Sequence, residues 1–225
     1  MRILYHWTLD PASRQARIAM AETKLKLKIE LIDPWALPEN FTNICIEARP
    51  PALMDHTQNS HKLIIGARAI CEYASEITTR QPLMPKSPFA RSEVRRLCDW
   101  FENRFQDEVI SYILSERVEK SLLQNGRPDP DIIQHGRRAL EFHLDYMNWI
   151  LSQEEWLAGP EFSLADIAAG ANISCLDYLG EIAWKNYPHL KPWYQLFKSR
   201  PSVRGILTDK LPSIRAPLYY ADPDF

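Results

Sequence analysis

The sequence predicts a small α/β domain followed by a larger all-helical domain. Three observations carry this expectation. Hydrophobic patterning over residues 1–80 runs in the order β-α-β-x-β-β-α, residues 81–88 form a proline-rich break, and only helical periodicity follows.

Ile3-Leu4-Tyr5 is a short apolar run ended by polar residues, which reads as a buried strand. Asp10-Pro11 starts a helix, because the carboxylate can cap free N–H groups and proline at the first helical position lacks only a donor not needed there. Ala16, Ala19, Met20 and Thr23 continue it at helical spacing. Leu25, Leu27, Ile29 and Leu31 alternate with polar partners, the pattern of a half-buried strand. Pro34 to Arg49 is irregular, with room for one short helix. Pro51–Met54 and Leu63–Ile65 read as short strands joined by the polar turn Gln58-Asn59-Ser60, and Ala67 to Ile77 as a helix. A small open sheet with helices on its faces satisfies this order.

Gln81 to Pro88 holds three prolines and is the expected linker. Beyond it, Val94, Leu97, Phe101, Phe105 and Val109 form one helical stripe, and Ile133, Leu140, Leu144, Met147 and Leu151 another. Gly159-Pro160 interrupts the pattern, and Ser163-Leu164-Ala165-Asp166 opens a third helix running to about Leu179. Shorter helices are expected at Trp193–Lys198 and after Pro201, and Leu211 to Phe225 is expected to be an extended tail. The expected domains are therefore 1–80, a linker at 81–88, a helical domain at 89–210 and a tail at 211–225.

Composition excludes several classes. A formal net charge of -2 with no long run of one sign argues against a nucleic-acid binder. No apolar stretch reaches the length of a membrane span and the start carries no secretory apolar segment, so no membrane insertion and a cytoplasmic location are expected. Cys45, Cys71, Cys98 and Cys175 are scattered and form no CxxC pair, which fits reduced thiols better than disulfides or zinc. His6, His56, His61, His135, His143 and His189 show no metal-ligand spacing with them, so no metal is expected.

The element order, with Pro51 before the third strand and a helical half behind it, resembles the soluble glutathione transferases. That fold joins a thioredoxin-like α/β N-terminal domain to an all-α C-terminal domain. Pro51 matches the family's cis-proline, and Arg68-Ala69-Ile70-Cys71-Glu72-Tyr73 the helix after the glutathione-binding corner. Phe162-Ser163-Leu164-Ala165-Asp166 is similar to the family's capping motif, in which Ser163 and Asp166 each accept a backbone N–H, a structural role. Trp193-Tyr194 and Arg200-Pro201-Ser202-Val203 match its closing helices, so the resemblance spans roughly residues 1–205.

The resemblance implies a ligand cleft at Asp10, Pro50, Pro51, Gly66 and Ala67, and three departures from what glutathione needs fall there, at Asp10, at Pro50 and at Gly66-Ala67. Asp10 stands where a hydroxyl or thiol would hold the glutathione sulfur; an ionised carboxylate only accepts and repels a thiolate. Ser13, one turn on, could replace the hydroxyl, but a serine in a first turn more often serves the local backbone. Pro50 precedes Pro51 and has no amide hydrogen, so the donor to the tripeptide backbone is missing, at about 1–3 kcal/mol if buried. The family's acidic-Ser pair falls on Gly66-Ala67, losing two charge-assisted hydrogen bonds of roughly 1.5–3 kcal/mol each. No catalytic residue and no cofactor are expected, with Asp10 and Ser13 the degenerate positions and glutathione binding weak or absent. Asp10 with His6 as an acid–base pair has only weak support.

A fold without its reaction is expected to act through its surface. Asp33-Pro34-Trp35 puts a tryptophan in a loop, where it either anchors a partner or packs on its own domain. In the tail, Tyr219 and Tyr220 are candidates for packing as well as contact, while Asp222, Asp224 and Phe225 are the contact residues. The tail's Tyr-Ala-Asp-Pro-Asp-Phe ending, with the Trp35 loop, resembles the FzlA-like division proteins of glutathione-transferase fold. That resemblance implies a homodimer whose partner is an FtsZ-like division filament, contacted through Trp35 and the tail. Removing Asp222 to Phe225 is expected to abolish filament binding with little effect on folding. The alternatives are a glutathione transferase or peroxidase using Ser13 or a different ligand, and a small-ligand carrier using the cleft between the halves.

Overall fold

A computed structural model of the chain describes residues 1–56, 62–78 and 82–225. The expected turn at Gln58-Asn59-Ser60, His61 and the first linker residue Gln81 lie outside them. By their contacts the residues group into two units, Met1–Met84 with Arg200–Asp209, and Pro85–Ser199 with Lys210–Phe225.

The first unit is built from β1 (Arg2–His6), α1 (Pro11–Glu22), β2 (Leu27–Leu31), α2 (Glu39–Thr42), β3 (Ala52–Asp55), β4 (Lys62–Ile65) and α3 (Ala67–Ile77). The sheet order is β2-β1-β3-β4, with β1 parallel to β2 and antiparallel to β3, and β3 antiparallel to β4. Leu4 of β1 faces Leu53 of β3, which faces Ile64 of β4, so one apolar row crosses the sheet. Side chains alternate between faces. Ile3, Tyr5, Ile32, Phe41, Cys45 and Ala52 cluster together, and α1 packs against α3. Pro50-Pro51 is a cis peptide at the entry to β3.

The alternating apolar set of β2 does not lie on a covered face: Ile29 is 47% exposed and Leu31 59%. The alternation identified a strand, but β2 is an edge strand beside β1 alone, and periodicity does not say which face is covered. The region expected to be linker carries Leu83 and Met84, both buried.

The second unit opens with one long helical run. It passes through α4 (Pro88–Asp99), π-helical turns at Trp100–Arg104 and Gln106–Ile110, α5 (Ser111–Leu114), a third π turn at Ser115–Glu119 and α6 (Lys120–Leu122). Then come α7 (Pro130–Ile150), α8 (Leu164–Tyr178) and α9 (Leu190–Ser199), while α10 (Arg204–Leu207) belongs to the first unit. All fifteen residues of α8 are buried, and Gly170 is required there, since a Cβ would sit 2.2 Å from the Phe197 ring. The tail is not simply extended: Leu218–Ala221 forms a 3-10 turn, and the Tyr178 hydroxyl ties it down at both Leu211 N–H and Ile214 C=O, each at 3.0 Å. Among the described residues no helix is long and apolar enough to cross a membrane.

Candidate functional site

The start of α1 is a closed hydrogen-bonding loop. Asp10 has extended backbone geometry and its carboxylate accepts the Ser13 N–H at 2.8 Å, an N-cap with Pro11 in the first helical position. The Ser13 hydroxyl is fully buried; it accepts the Trp7 N–H at 3.0 Å and also bonds to the Asp10 side chain. Burial pushes the Asp10 carboxyl above the ordinary carboxylate range, although the Ser13 donors and nearby Arg49 pull the other way. The Asp-Pro device recurs at Asp129-Pro130, where Asp129 caps α7 by accepting from Asp131 and Ile132. A cap explains the pair in both places.

The remaining cleft positions offer no side-chain donor or acceptor. Pro50 and Pro51 are buried, and the Pro51 carbonyl is taken by the Gly66 N–H at 3.0 Å. Gly66, at φ 87 and ψ 147, lies in a backbone region close to one that only glycine occupies readily. Its Cβ would meet nothing within 4 Å, so conformation, not space, selects the glycine. Ala67 is buried, and α3 has no side-chain cap.

His6 is not paired with Asp10. It is buried beside Arg17, Asp209 and Arg14, and burial lowers its pKa to about 4, with the two guanidiniums adding to the effect. Arg17 grips Asp209 at 2.7 and 3.0 Å and the Gly205 carbonyl at 3.0 Å, while Arg14 lies 3.5 Å from Asp209. No sequence spacing pointed to this cluster, because Asp209 comes from the far end of the chain.

The partner-surface candidates separate. Trp35 is 37% exposed, rests edge-on against Trp7 at 5.3 Å, and donates its N–H to Asp33 at 2.9 Å; it packs and shows a face at once. Tyr220 is buried against Tyr178, and Tyr219 is half-buried. Asp222 and Asp224 are exposed. Phe225 turns back into the second unit, its ring 5.2 Å from Trp184, 5.5 Å from Tyr219 and 6.1 Å from Tyr194. Lys198 Nζ lies 4.0 Å from that ring, donates to the Tyr219 carbonyl at 3.1 Å and sits 3.8 Å from the buried Asp177. Burial lowers the Lys198 pKa, and Asp177 and Asp222 oppose the shift. The expectation that the last four residues could be removed without cost to folding is therefore revised: Phe225 closes an aromatic cage over a buried lysine.

The comparisons with known proteins agree with this architecture. Residues 2–76 match the N-terminal domain model of glutathione S-transferases and 134–209 the C-terminal domain model. The chain is 41% identical to FtsZ-localized protein A of Caulobacter vibrioides, covering 100% of this chain and 98% of that one. It belongs to the glutathione S-transferase family. A solved structure of FzlA from C. crescentus superposes with a TM-score of 0.96 at 41% identity, over 100% of this chain and 99% of that one. A structure described as a glutathione S-transferase from Rhodospirillum rubrum F11 gives 0.95 at 38%, over 100% of both chains.

Within this glutathione S-transferase fold, Ser163 and Asp166 form a complete capping box. Asp166 accepts the Ser163 N–H at 2.9 Å and the Ser163 hydroxyl accepts the Ala165 N–H at 3.2 Å. The other Asp166 oxygen receives Leu157 N–H and the Trp193 indole, both at 3.0 Å, so one buried carboxylate ties three segments of the helical unit. Lys198 was missed from sequence, where it reads as a basic residue in the last turn of an amphipathic helix.

Proposed function

We propose that this chain is a non-catalytic binding protein for the division filament protein FtsZ, working in the cytoplasm as a homodimer. Trp35 and the tail, with Asp222 and Asp224 displayed on it, are the contact surface. The state of the ligand corner carries the reading: Ser13 is spent on Trp7 and Asp10, Pro50 has no N–H, and Gly66-Ala67 offer no polar side chain. The glutathione site is degenerate on this reading and no cofactor is required. The full-length similarity to a protein named for its localization with FtsZ supports the choice of partner. Exposed Phe89, Phe142 and Trp149 support self-association. Two linked contacts on one dimer raise the effective concentration of the second without new chemistry.

Co-sedimentation with FtsZ filaments tests this. Trp35→Ala and the double change Asp222→Lys/Asp224→Lys should each weaken binding about tenfold or more, since a few anchor residues dominate such interfaces. Undiminished binding by both variants removes the proposal. Sedimentation equilibrium checks the dimer.

A second reading, a glutathione-dependent transferase or peroxidase with an atypical site, is favoured by the 38% identity to a structure bearing the transferase name. It requires retention on immobilised glutathione and turnover of an electrophilic substrate. The engagement of the Ser13 hydroxyl by two neighbours weighs against it.

A further inference from the structure

In the helical unit, α7 and the segment after α8 frame a half-open cavity of about 380 Å³ lined by no residue of the ligand corner or the tail. Its apolar wall includes Leu140 and Leu144, both buried. Glu141 and Asp145, one turn apart on α7, line it with exposed carboxylates that have no hydrogen-bond or ion-pair partner among the described residues. Tyr187 also lines it. That residue is only 6% exposed, yet its hydroxyl finds no hydrogen-bond partner among the described residues. Burial and then the two carboxylates, Asp145 and Glu141, raise its pKa, so the hydroxyl stays neutral.

The cavity's one lining cation is already committed. Arg137 donates to Glu181 at 2.7 and 3.3 Å, and Glu181, with its side chain 1% exposed, is also held by Arg117. With two arginines on Glu181, the local balance is one net negative charge, and two unpaired carboxylates and an unused phenol stand over an apolar wall. No group of three His, Cys, Asp or Glu side chains among the described residues is placed to hold a metal, so the complementary ligand is an organic cation. A carboxylate or phosphate would meet like charge.

We propose that this cavity binds a guanidinium or alkylammonium group on a short apolar stem. The group's N–H donors meet Glu141, Asp145 and the Tyr187 hydroxyl, and its methylenes lie on Leu140 and Leu144. Such a group is supplied by an arginine or lysine side chain of a protein partner or by a free small amine. None of the lining residues is Trp35 or a tail residue, so the ligand test can fail while the FtsZ reading stands, and the reverse.

Titration calorimetry on the full chain tests it with three probes: agmatine, an arginine-containing tripeptide with blocked ends, and succinate. Agmatine or the peptide should saturate with a Kd of about a millimolar, the range set by ligand efficiency for so few atoms. Tighter binding of agmatine assigns a free amine, and tighter binding of the peptide assigns a partner side chain. Glu141→Gln/Asp145→Asn should weaken the better probe about tenfold through lost charge-assisted bonds. Tyr187→Phe, which keeps the buried ring, should weaken it about threefold. Unsaturable heats with both cationic probes, saturable succinate binding in their place, or full affinity in the double variant would overturn the proposal.

Discussion

The ligand corner of the first unit and the tail of the second handle polar groups in opposite ways. At the corner, side chains that could face a ligand are absent or turned on one another: Ser13 serves Trp7 and Asp10, and Gly66-Ala67 offer only backbone. At the tail, side chains accumulate, with Phe225, Tyr219 and Tyr220 closing around a buried Lys198–Asp177 pair. On the proposed reading the first unit keeps the frame of a ligand site without the side chains to equip it. The tail gathers contacts instead, and that contrast favours a surface role over a reaction.

The contrast is tested most strongly at Lys198. Replacing it with methionine leaves Asp177 buried without its cation and should cost about 3–5 kcal/mol in unfolding free energy. Lys198→Met/Asp177→Asn should cost less than the sum of its single changes, with a coupling of about 1 kcal/mol or more in a denaturation cycle. Additive costs would mean that the lysine matters only as packing.

The next effect comes from the inward-turned charges of the first unit. His6 has a folded pKa of about 4, below its unfolded value of about 6.5, so the folded state keeps it neutral. Below pH 6.5 the unfolded chain takes up a proton that the folded one refuses, and stability falls until about pH 4. The loss should approach about 3 kcal/mol over that window, and His6→Gln should remove it from the pH profile. Equal slopes in both proteins would show that the ring is not held neutral.

A third change attacks the ligand corner itself. Pro50→Val with Ala67→Ser restores one backbone donor and one hydroxyl while leaving Gly66 in its special conformation. Glutathione affinity should rise about a hundredfold by calorimetry. If the parent chain already binds glutathione in the micromolar range, the contrast between the two regions fails.

The frame was legible in the sequence and the charges were not. Short apolar runs located β1, β3 and β4, and helical spacing located α1 and α7, because burying one face of a helix imposes that spacing; α8, buried on every side, was located by its Ser163–Asp166 start. Asp10-Pro11 and Ser163–Asp166 were readable because caps are local chemistry, and Asp129-Pro130 carried the same signal unread. The exposed face of β2 was not readable, since an edge strand alternates whether or not anything covers it. Lys198–Asp177 and Arg17–Asp209 join residues about 20 and 190 positions apart, and a single sequence carries no mark of such pairings.

The smallest predicted effect decides between two roles for the tail. Phe225 is half-buried with a lysine 4.0 Å from its ring, so Phe225→Ala should cost about 1–2 kcal/mol through lost apolar burial and the lost cation–ring contact. Asp222 and Asp224 are exposed, and Asp224→Asn should change stability by less than about 0.5 kcal/mol. Asp222 opposes the lowered pKa of Lys198, so Asp222→Asn should cost slightly more than its neighbour. Thermal melts of the three single variants, set beside their filament binding, separate the functions. A contact surface held by an anchor requires filament binding to fall in the aspartate variants while their melts stay near the parent's. If binding instead tracks stability across all three, the tail is only a clasp of the helical unit.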